Sequence, residues 1–415
     1  MVHNLRHGTG DRAPLGEDRQ QGSGSVHFFY ETLESPYCQK EEIPIKRTGN
    51  LFNIIISDKN LETAIYEVNK NHHWHGNHRP NRCTAWVEET KAERVRELRK
   101  IIVNGFVPKK PRVTVRWDAS AQKYRTISEP IQYPDQYIHH ALIQVLQSVM
   151  MRGMDFYCCG SIRDRGTDKA RKAIQGWMSS DIKGTKYELC GDIYHFYDSL
   201  KPEVVMERMK HLIKDYRTLD LVWRIVKDGI MIGAYTSQWF ANTVLQPLDR
   251  LIRNSGYCKH YVRYMDNLTI LGANKRNLRK LRKLIESWLN EHGLKLKGDY
   301  QIFPTSKRMP DAVGYRYGRG YTLIRKHTLL RIKRALGRYR KKVKKGSRVP
   351  VSMAASVISR AGLLSHCNNH NIYMRLYKGD RVMRKLKCIV RSWQRNNGLT
   401  WDMYMKLRAM KREMG

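Results

Sequence analysis

The chain has 415 residues, with 77 Lys and Arg against 38 Asp and Glu, and a formal net charge of +39. That length allows two or three domains with real cores, and so large a positive charge points to a polyanion as partner. The 41% hydrophobic and 10% aromatic content excludes a merely basic tail, and the sequence holds no run of about 18 apolar residues that would span a membrane. No secretory signal opens it. The eight cysteines form no CxxC pair, although Cys158 and Cys159 are adjacent. A reduced, cytoplasmic protein without structural zinc or a disulfide framework is expected.

Residues 1–25 are polar and Gly-rich, and 1–50 is read as a flexible N-terminal extension. Asn60–Val68 reads as a helix. His72, His73, His75, His78 and Cys83 crowd together, but their spacing fits no zinc pattern and Pro and Arg interrupt it, so a basic polar loop is preferred to a metal site. Glu88–Val103 reads as one charged helix with an apolar stripe through Val95, Leu98, Ile101 and Ile102. Pro108–Trp117 and Lys123–Ile127 read as the arms of a β-hairpin. Next comes Cys159-Gly-Ser-Ile-Arg-Asp-Arg-Gly-Thr167, a loop ahead of a helix. Arg163 and Arg165 at that helix start suit a triphosphate, since amide donors and guanidinium groups both face anions. The alternative is a solvated basic loop.

Leu189–Leu200 reads as a strand that ends near Asp192. Asp198, six residues on, is read as a structural or cap residue. Pro202 opens a helix with Val205, Met209, Leu212 and Ile213 on one side. Gly229–Asn242 is a glycine-hinged loop entering a helix after Ser237, which buries Phe240, Val244, Leu245, Leu248 and Ile252. Tyr261–Leu271 reads as strand, tight turn, strand, with Asp266 at the tip; an ordinary surface hairpin with an Asp-Asn turn is the alternative. The next helix carries Leu278, Leu281, Leu284, Ile285, Trp288 and Leu289 and stops at His292-Gly293. Two such passes build an antiparallel sheet backed by helices, an α+β fold. From Arg325 to Pro350 there are twelve Lys or Arg and no acid, with Leu329, Leu330, Ile332, Leu336 and Tyr339 interleaved, so one helix face packs while the other meets phosphate. Further helices are expected over Ser352–Cys367 and Tyr373–Trp393.

Asp192 on a strand, the loop holding Gly233, Ser237 and Gln238, and Tyr264-Met265-Asp266 on a hairpin resemble motifs A, B and C of reverse transcriptases in order and spacing, with 74 positions between the two Asp. The resemblance runs from about residue 50 to 385. Arg125-Thr-Ile-Ser-Glu-Pro130, with Asp135 and His139-His-Ala141, resembles the first fingers motif; the 159–167 loop resembles the second, with Asp164 where the family often has Gly. The resemblance implies a right-hand polymerase fold. Fingers would span 51–180, an antiparallel-sheet palm 181–322 and an all-helical basic thumb 323–395, followed by a tail at 396–415. Asp311–Gly318 resembles the hairpin that supports the primer strand, and the 71–83 loop would touch RNA.

By that resemblance the chain is an RNA-directed DNA polymerase copying a structured RNA template into cDNA from dNTPs. Asp192 and Asp266, with the Ile193 carbonyl, would hold two Mg²⁺ ions, with Mn²⁺ as substitute. Asn267 stands at the next catalytic position, where the family has a second Asp. Arg125, Arg163, Arg165, Gly233 and Gln238 would face the nucleotide. Tyr197 would lie under the sugar and select deoxynucleotides; it also suits a core aromatic. Arg338, Arg340, Lys341, Lys344 and Lys345 would grip the RNA/cDNA hybrid. Lys295 and Lys297 both stand near the family's pyrophosphate-protonating Lys, a role left open. The Ile232-Gly-x-x-x-Ser-Gln238 form resembles the error-prone enzymes of diversity-generating retroelements, which implies a small basic accessory protein as partner. Retron-like or defence-associated enzymes, and a catalytically impaired RNA-binding scaffold, are the alternatives.

Overall fold

Four helices come first in chain order, Leu51–Ile55, Asp58–Trp74, Arg82–Glu89 and Lys91–Val103. They belong to a computed structural model that describes residues 46–74, 81–118 and 123–396, all within one compact unit spanning 43–415. The expected extension up to residue 45, the loop positions His75 and His78, and the tail from 397 lie outside the described residues. The single helix expected over Glu88–Val103 is two. Thr90 leaves helical geometry (φ −112°, ψ 27°), and its hydroxyl donates to the Trp86 carbonyl at 2.7 Å, a local bond that competes with helix continuation.

Strands β1 (Arg112–Asp118) and β2 (Lys123–Glu129) pair as the expected antiparallel hairpin. The helices Tyr137–Met151 and Gly166–Ser180 follow. The central sheet comprises β3 (Tyr187–Asp192), β4 (His260–Tyr264), β5 (Asn267–Gly272) and β6 (Gln301–Pro304), in the order β4-β5-β3-β6 with every pairing antiparallel. Between β3 and β4 run the helices Phe196–Ser199, Pro202–Leu212, Tyr216–Val226, Tyr235–Val244 and Gln246–Asn254. The helix expected after Ser237 begins two residues earlier, because Thr236 and Ser237 are buried in its first turn instead of capping it. Helix Lys275–Glu291 links β5 to β6, capped by Asn274, whose side chain accepts from the Arg276 amide. A small sheet of β7 (Asp311–Ala312), β8 (Tyr315–Tyr317) and β9 (Thr322–Ile324) precedes helices Lys326–Lys344, Val351–Gly362, His370–Tyr377 and Arg381–Asn396. The last two were expected as one; Lys378, Gly379 and Asp380 all take positive φ and break it. Among the described residues no helix is long and apolar enough to cross a membrane.

Side-chain alternation gives the central sheet two buried faces. Tyr261, Leu268, Ile270 and Leu189 join a core built on Leu142, Phe240, Leu281 and Ile285. Val262 and Leu271 point the other way, into a second core of Ile174 and Met178 with Tyr317, Leu336, Val357 and Leu386. Each such fully buried side chain contributes roughly 1.5–3 kcal/mol. The basic C-terminal helices are thus fastened to the sheet through their apolar stripe, which leaves their cations outside.

Glu188 is the exception in the sheet. It lies at the centre of β3, opposite Leu271 on β5 and Phe303 on β6, fully buried, and neither carboxylate oxygen has a hydrogen-bond partner. Burial, reinforced by Asp311, pushes its pKa up to about 8 from an ordinary 4.5, against the pull of Arg308. The folded state therefore keeps a proton that the unfolded chain releases near pH 4.5. Stability from this group is full below that pH and is lost progressively up to about pH 8. Glu188→Gln should flatten the fall of Tm between pH 5 and 8, by the equivalent of a few kcal/mol at roughly 1.4 kcal/mol per pH unit. Parallel pH dependences in thermal melts of the two proteins would show that Glu188 is already ionised.

Candidate active site

Register brings the two singled-out carboxylates together. Asp192 ends β3 directly opposite Asn267, the first residue of β5, so Asp266 sits one residue beyond, at the hairpin tip. The tight turn expected here is the two-residue Met265-Asp266, with Asn267 already paired to Tyr264 in the strands. Met265 adopts φ 56°, a conformation that a two-residue hairpin loop requires and that costs a non-glycine residue energy. The Ile193 amide donates to the Asp266 carbonyl at 3.2 Å, and the Lys297 amide donates to the Asp192 carbonyl at 2.8 Å. Both carboxylate-bearing tips are thereby locked by backbone.

The two side chains lie within hydrogen-bonding reach of each other, and both titrate above the usual carboxylate range. For Asp192 the causes are burial and then the Asp266 charge, with Lys297 opposing. For Asp266 burial is the cause, offset by bonds from its own backbone, Asn267 and Asp192 and by the Arg125 charge. Asn267 Nδ2 donates to Asp266 Oδ1 at 3.1 Å, so the amide supports Asp266 from the side. Asp192 Oδ1 is buried without a partner. An orphaned oxygen on one of two mutually repelling carboxylates is a donor set that fits a hard divalent cation. Among the described residues no group of three or more His, Cys, Asp or Glu stands close enough to hold a metal ion, so the set consists of this pair.

Asp192 and Asn267 line a cleft of about 720 Å³, together with Tyr264, Lys297, Asp299, Asp311, Arg325 and Arg331. Tyr197 is partly buried against the first core, and burial followed by the Asp266 charge raises its phenol pKa. Both readings of this ring, site wall and core aromatic, fit that position. Hairpin β1–β2 presents Arg125 and Ile127 on the face toward the site. Gly233 donates its amide to the Ser128 carbonyl at 2.9 Å, and a Cβ there would lie 2.5 Å from Glu129 and 2.7 Å from that carbonyl. Glycine is needed at 233 because strand β2 packs this closely, whereas the sequence reading placed it at a nucleotide pocket. Gln238 is partly exposed on the first turn of its helix. Arg163 is exposed at its loop, whereas Arg165 is half-buried and donates to the Asp155 and Cys158 carbonyls, holding the loop shape. Asp198 pairs with His195 at 3.2 Å in a local contact. His72 bonds Gln136 at 3.2 Å, and Cys83 is a free thiol, as are the six other described cysteines. Arg338, Lys341, Lys344 and Lys345 are exposed along one helix; Arg340 is exposed too, but donates to the Leu376 carbonyl at 2.5 Å.

Sequence reasoning missed the support under the turn. Arg263 is fully buried and forms a two-point ion pair with Asp249, Nε to Oδ1 and Nη2 to Oδ2, both at 2.7 Å. Burial alone would lower the guanidinium pKa; Asp249 overrides it and holds it well above its ordinary value. The same guanidinium donates to Asn242 Oδ1 at 2.8 Å and to the Met265 carbonyl at 3.0 Å. An Arg inside the apolar run Tyr261-Val-Arg-Tyr264 was the available signal, because a buried strand does not hold a charge without a partner.

Residues 107–299 match the family model described as reverse transcriptase (RNA-dependent DNA polymerase). The matched segment, under half of the chain, is similar to reverse transcriptase domains and contains hairpin β1–β2, the 159–167 loop, Asp192, Gly233 and Asp266. Comparison with curated proteins gave no match.

The carboxylate pair sets up a measurable conflict between stability and function. Asp266→Asn in metal-free protein should raise Tm, by the equivalent of about 0.5–2 kcal/mol, because it removes like-charge repulsion. Mg²⁺ should raise the Tm of the parent protein and leave that of the variant unchanged. A lower Tm in the metal-free variant would mean that the pair attracts through a shared proton instead of repelling.

Proposed function

We propose that the chain is an RNA-directed DNA polymerase that joins dNTPs on an RNA template at Asp192 and Asp266. The observation that carries this reading is their juxtaposition at the ends of two paired strands, beside a cleft that Asp192 lines, inside the segment that matches the family. Residues 51–180 act as fingers, 181–322 as palm and 323–395 as thumb. Asp192, Asp266 and the Ile193 carbonyl would hold two divalent ions, which when bound would supply activation of the primer 3′-oxygen and charge neutralisation at the leaving pyrophosphate. The protein's own part is placement. Arg125 and Arg163 meet the triphosphate, Gly233 leaves room for the incoming base pair, Gln238 contacts nucleotide or template, and Tyr197 packs beneath the sugar. The exposed cations of Lys326–Lys344 and Lys345 run along the hybrid backbone.

The Ile232-Gly233 to Ser237-Gln238 loop favours an error-prone enzyme of the diversity-generating type, working on its own structured RNA with a small basic accessory protein. A second reading, an impaired RNA-binding scaffold, draws on Asn267: it aims an amide donor at Asp266 where a second carboxylate would add negative charge.

Template-primed dNTP incorporation separates the two readings. Asp192→Ala and Asp266→Ala should each abolish incorporation and leave RNA binding nearly intact; substantial residual synthesis by either would remove the pair from the chemistry. Asn267→Asp should raise the rate and lower the metal requirement, on the order of 10-fold, with a smaller gain in Mn²⁺, which tolerates looser geometry. Equal rates across a titration of each metal would show that position 267 is no ligand.

Neutralising Arg338, Lys341, Lys344 and Lys345 should weaken hybrid binding without sequence preference. Each lost phosphate contact should reduce the slope of log K against log salt by roughly 0.7–0.9. An unchanged slope places this helix away from nucleic acid. Tyr197→Ala should admit ribonucleotides more readily, and unchanged sugar discrimination returns the ring to a purely core role.

A further inference from the structure

We infer that Gly160 and Asn242 are positioning residues that key the arginine loop to the carboxylate turn, so that a triphosphate held by the loop arrives at a fixed distance from Asp266. This deepens the polymerase reading and rests on it.

The loop does not merely approach the turn. Its first residues extend the central sheet beyond edge strand β4: the Cys159 amide donates to the Arg263 carbonyl at 2.8 Å, and the Arg263 amide donates to the Tyr157 carbonyl at 3.1 Å. One residue further, Gly160 lies flat against the turn. A Cβ on Gly160 would sit 2.5 Å from the Met265 amide nitrogen and 2.6 Å from Met265 Cγ and Sδ. Gly160 is not among the described glycines with positive φ. The requirement is therefore space against Met265 and not backbone freedom, and the close neighbour is main chain, which cannot swing aside.

Asn242 closes the connection from below. Its Nδ2 donates to the Gly160 carbonyl at 2.8 Å, and its Oδ1 accepts from Arg263 Nη1 at 2.8 Å. That same Arg263 nitrogen donates to the Met265 carbonyl at 3.0 Å. Asn242 is 1% exposed and Arg263 fully buried, so water does not substitute for these bonds. The side-chain amide supplies the donor and the acceptor from one planar group, without charge. Loop, helix Tyr235–Val244 and catalytic turn thus share one amide. At the other end of the loop, Arg165 holds the Asp155 and Cys158 carbonyls, which leaves exposed Arg163 to meet an anion. A shift of the loop is transmitted to Met265, and a shift of Met265 moves Asp266.

The test uses the full chain with Gly160→Ala, which pushes on the turn, and Asn242→Asp, which keeps shape and acceptor but removes the donor to Gly160. Four quantities are measured: Tm, RNA binding, Mn²⁺ affinity from the free-Mn²⁺ paramagnetic resonance signal, and kcat and KM for dNTP in primer extension on RNA. Both variants should fold and bind RNA like the parent. Mn²⁺ affinity should fall about 10-fold or more. The value of kcat should fall on the order of 10²-fold, as expected of a misplacement near 1 Å, with KM for dNTP raised. Folded variants with parental Mn²⁺ affinity and parental kcat overturn the keying. Should Gly160→Ala fail to fold, Asn242→Asp alone decides by the same readouts. A parent protein that incorporates no nucleotide, yet loses Mn²⁺ affinity in both variants, overturns the polymerase reading and upholds the keying.

Discussion

The buried pair Arg263–Asp249 is the constraint on which the site depends. A guanidinium taken wholly out of water must have its charge and its donors met, and here Asp249, Asn242 and the Met265 carbonyl meet them. Tyr261 adds its hydroxyl to the same Asp249 oxygen at 2.7 Å. Removing one partner of such a pair typically costs about 3–5 kcal/mol, whereas two apolar residues of matching shape often hold a core equally well. What apolar packing lacks is direction. The planar fork fixes strand β4 against helices Tyr235–Val244 and Gln246–Asn254 and aims a donor at the carbonyl of Met265, which carries positive φ. A strained turn at a sheet edge stays in place only if its surroundings over-determine it.

Charge is sorted in a way that suits polyanion chemistry. The chain is strongly basic, yet Asp192, Asp266 and Glu188 are concentrated on one strand pair of the central sheet. The basic helices leave their cations in solvent because their apolar stripe, with Ile332, Leu336 and Tyr339, is spent on the second core. A phosphate backbone is attracted over a broad surface, while a cation finds one point of negative potential within it. The acids at that point are held against their own electrostatic preference by burial and backbone bonds, a local destabilisation that functional sites commonly carry.

The segments around the candidate site are far apart in sequence but meet over a few side chains. Helix Tyr137–Met151 contributes His139, fully buried, whose Nδ1 lies 3.0 Å from the Thr236 hydroxyl at the start of the Gly233 helix. Burial, reinforced by His140, lowers its pKa to about 3, so it serves as a neutral hydrogen-bonding group and not as a charge. Hairpin β1–β2 contacts the same loop through Gly233. The segment before β3 is therefore fastened to the sheet at several points instead of hanging from a linker, and one core takes in residues from Leu51 to Leu294.

Much of this was legible along the chain. Alternation in Tyr261–Leu271 and the polar centre at Met265-Asp266 fixed a strand, turn and strand, because a two-residue turn between apolar arms leaves the chain few other options. Spacing of three and four placed the apolar faces of Lys275–Glu291 and Lys326–Lys344, and the pairing of Asp192 with Asp266 followed from motif order. The breaks at Thr90 and Lys378–Asp380 were not legible, since they turn on local bonds and backbone angles that compete closely with helix. The unpartnered burial of Glu188, the ion pair of Arg263 with Asp249, the contact of Gly160 with Met265 and the double use of Asn242 were decided by tertiary structure alone. Local periodicity reports which face of an element is buried. Which distant atoms meet there, and whether a buried charge finds its counter-charge, is set by register and packing between segments that the linear order keeps apart.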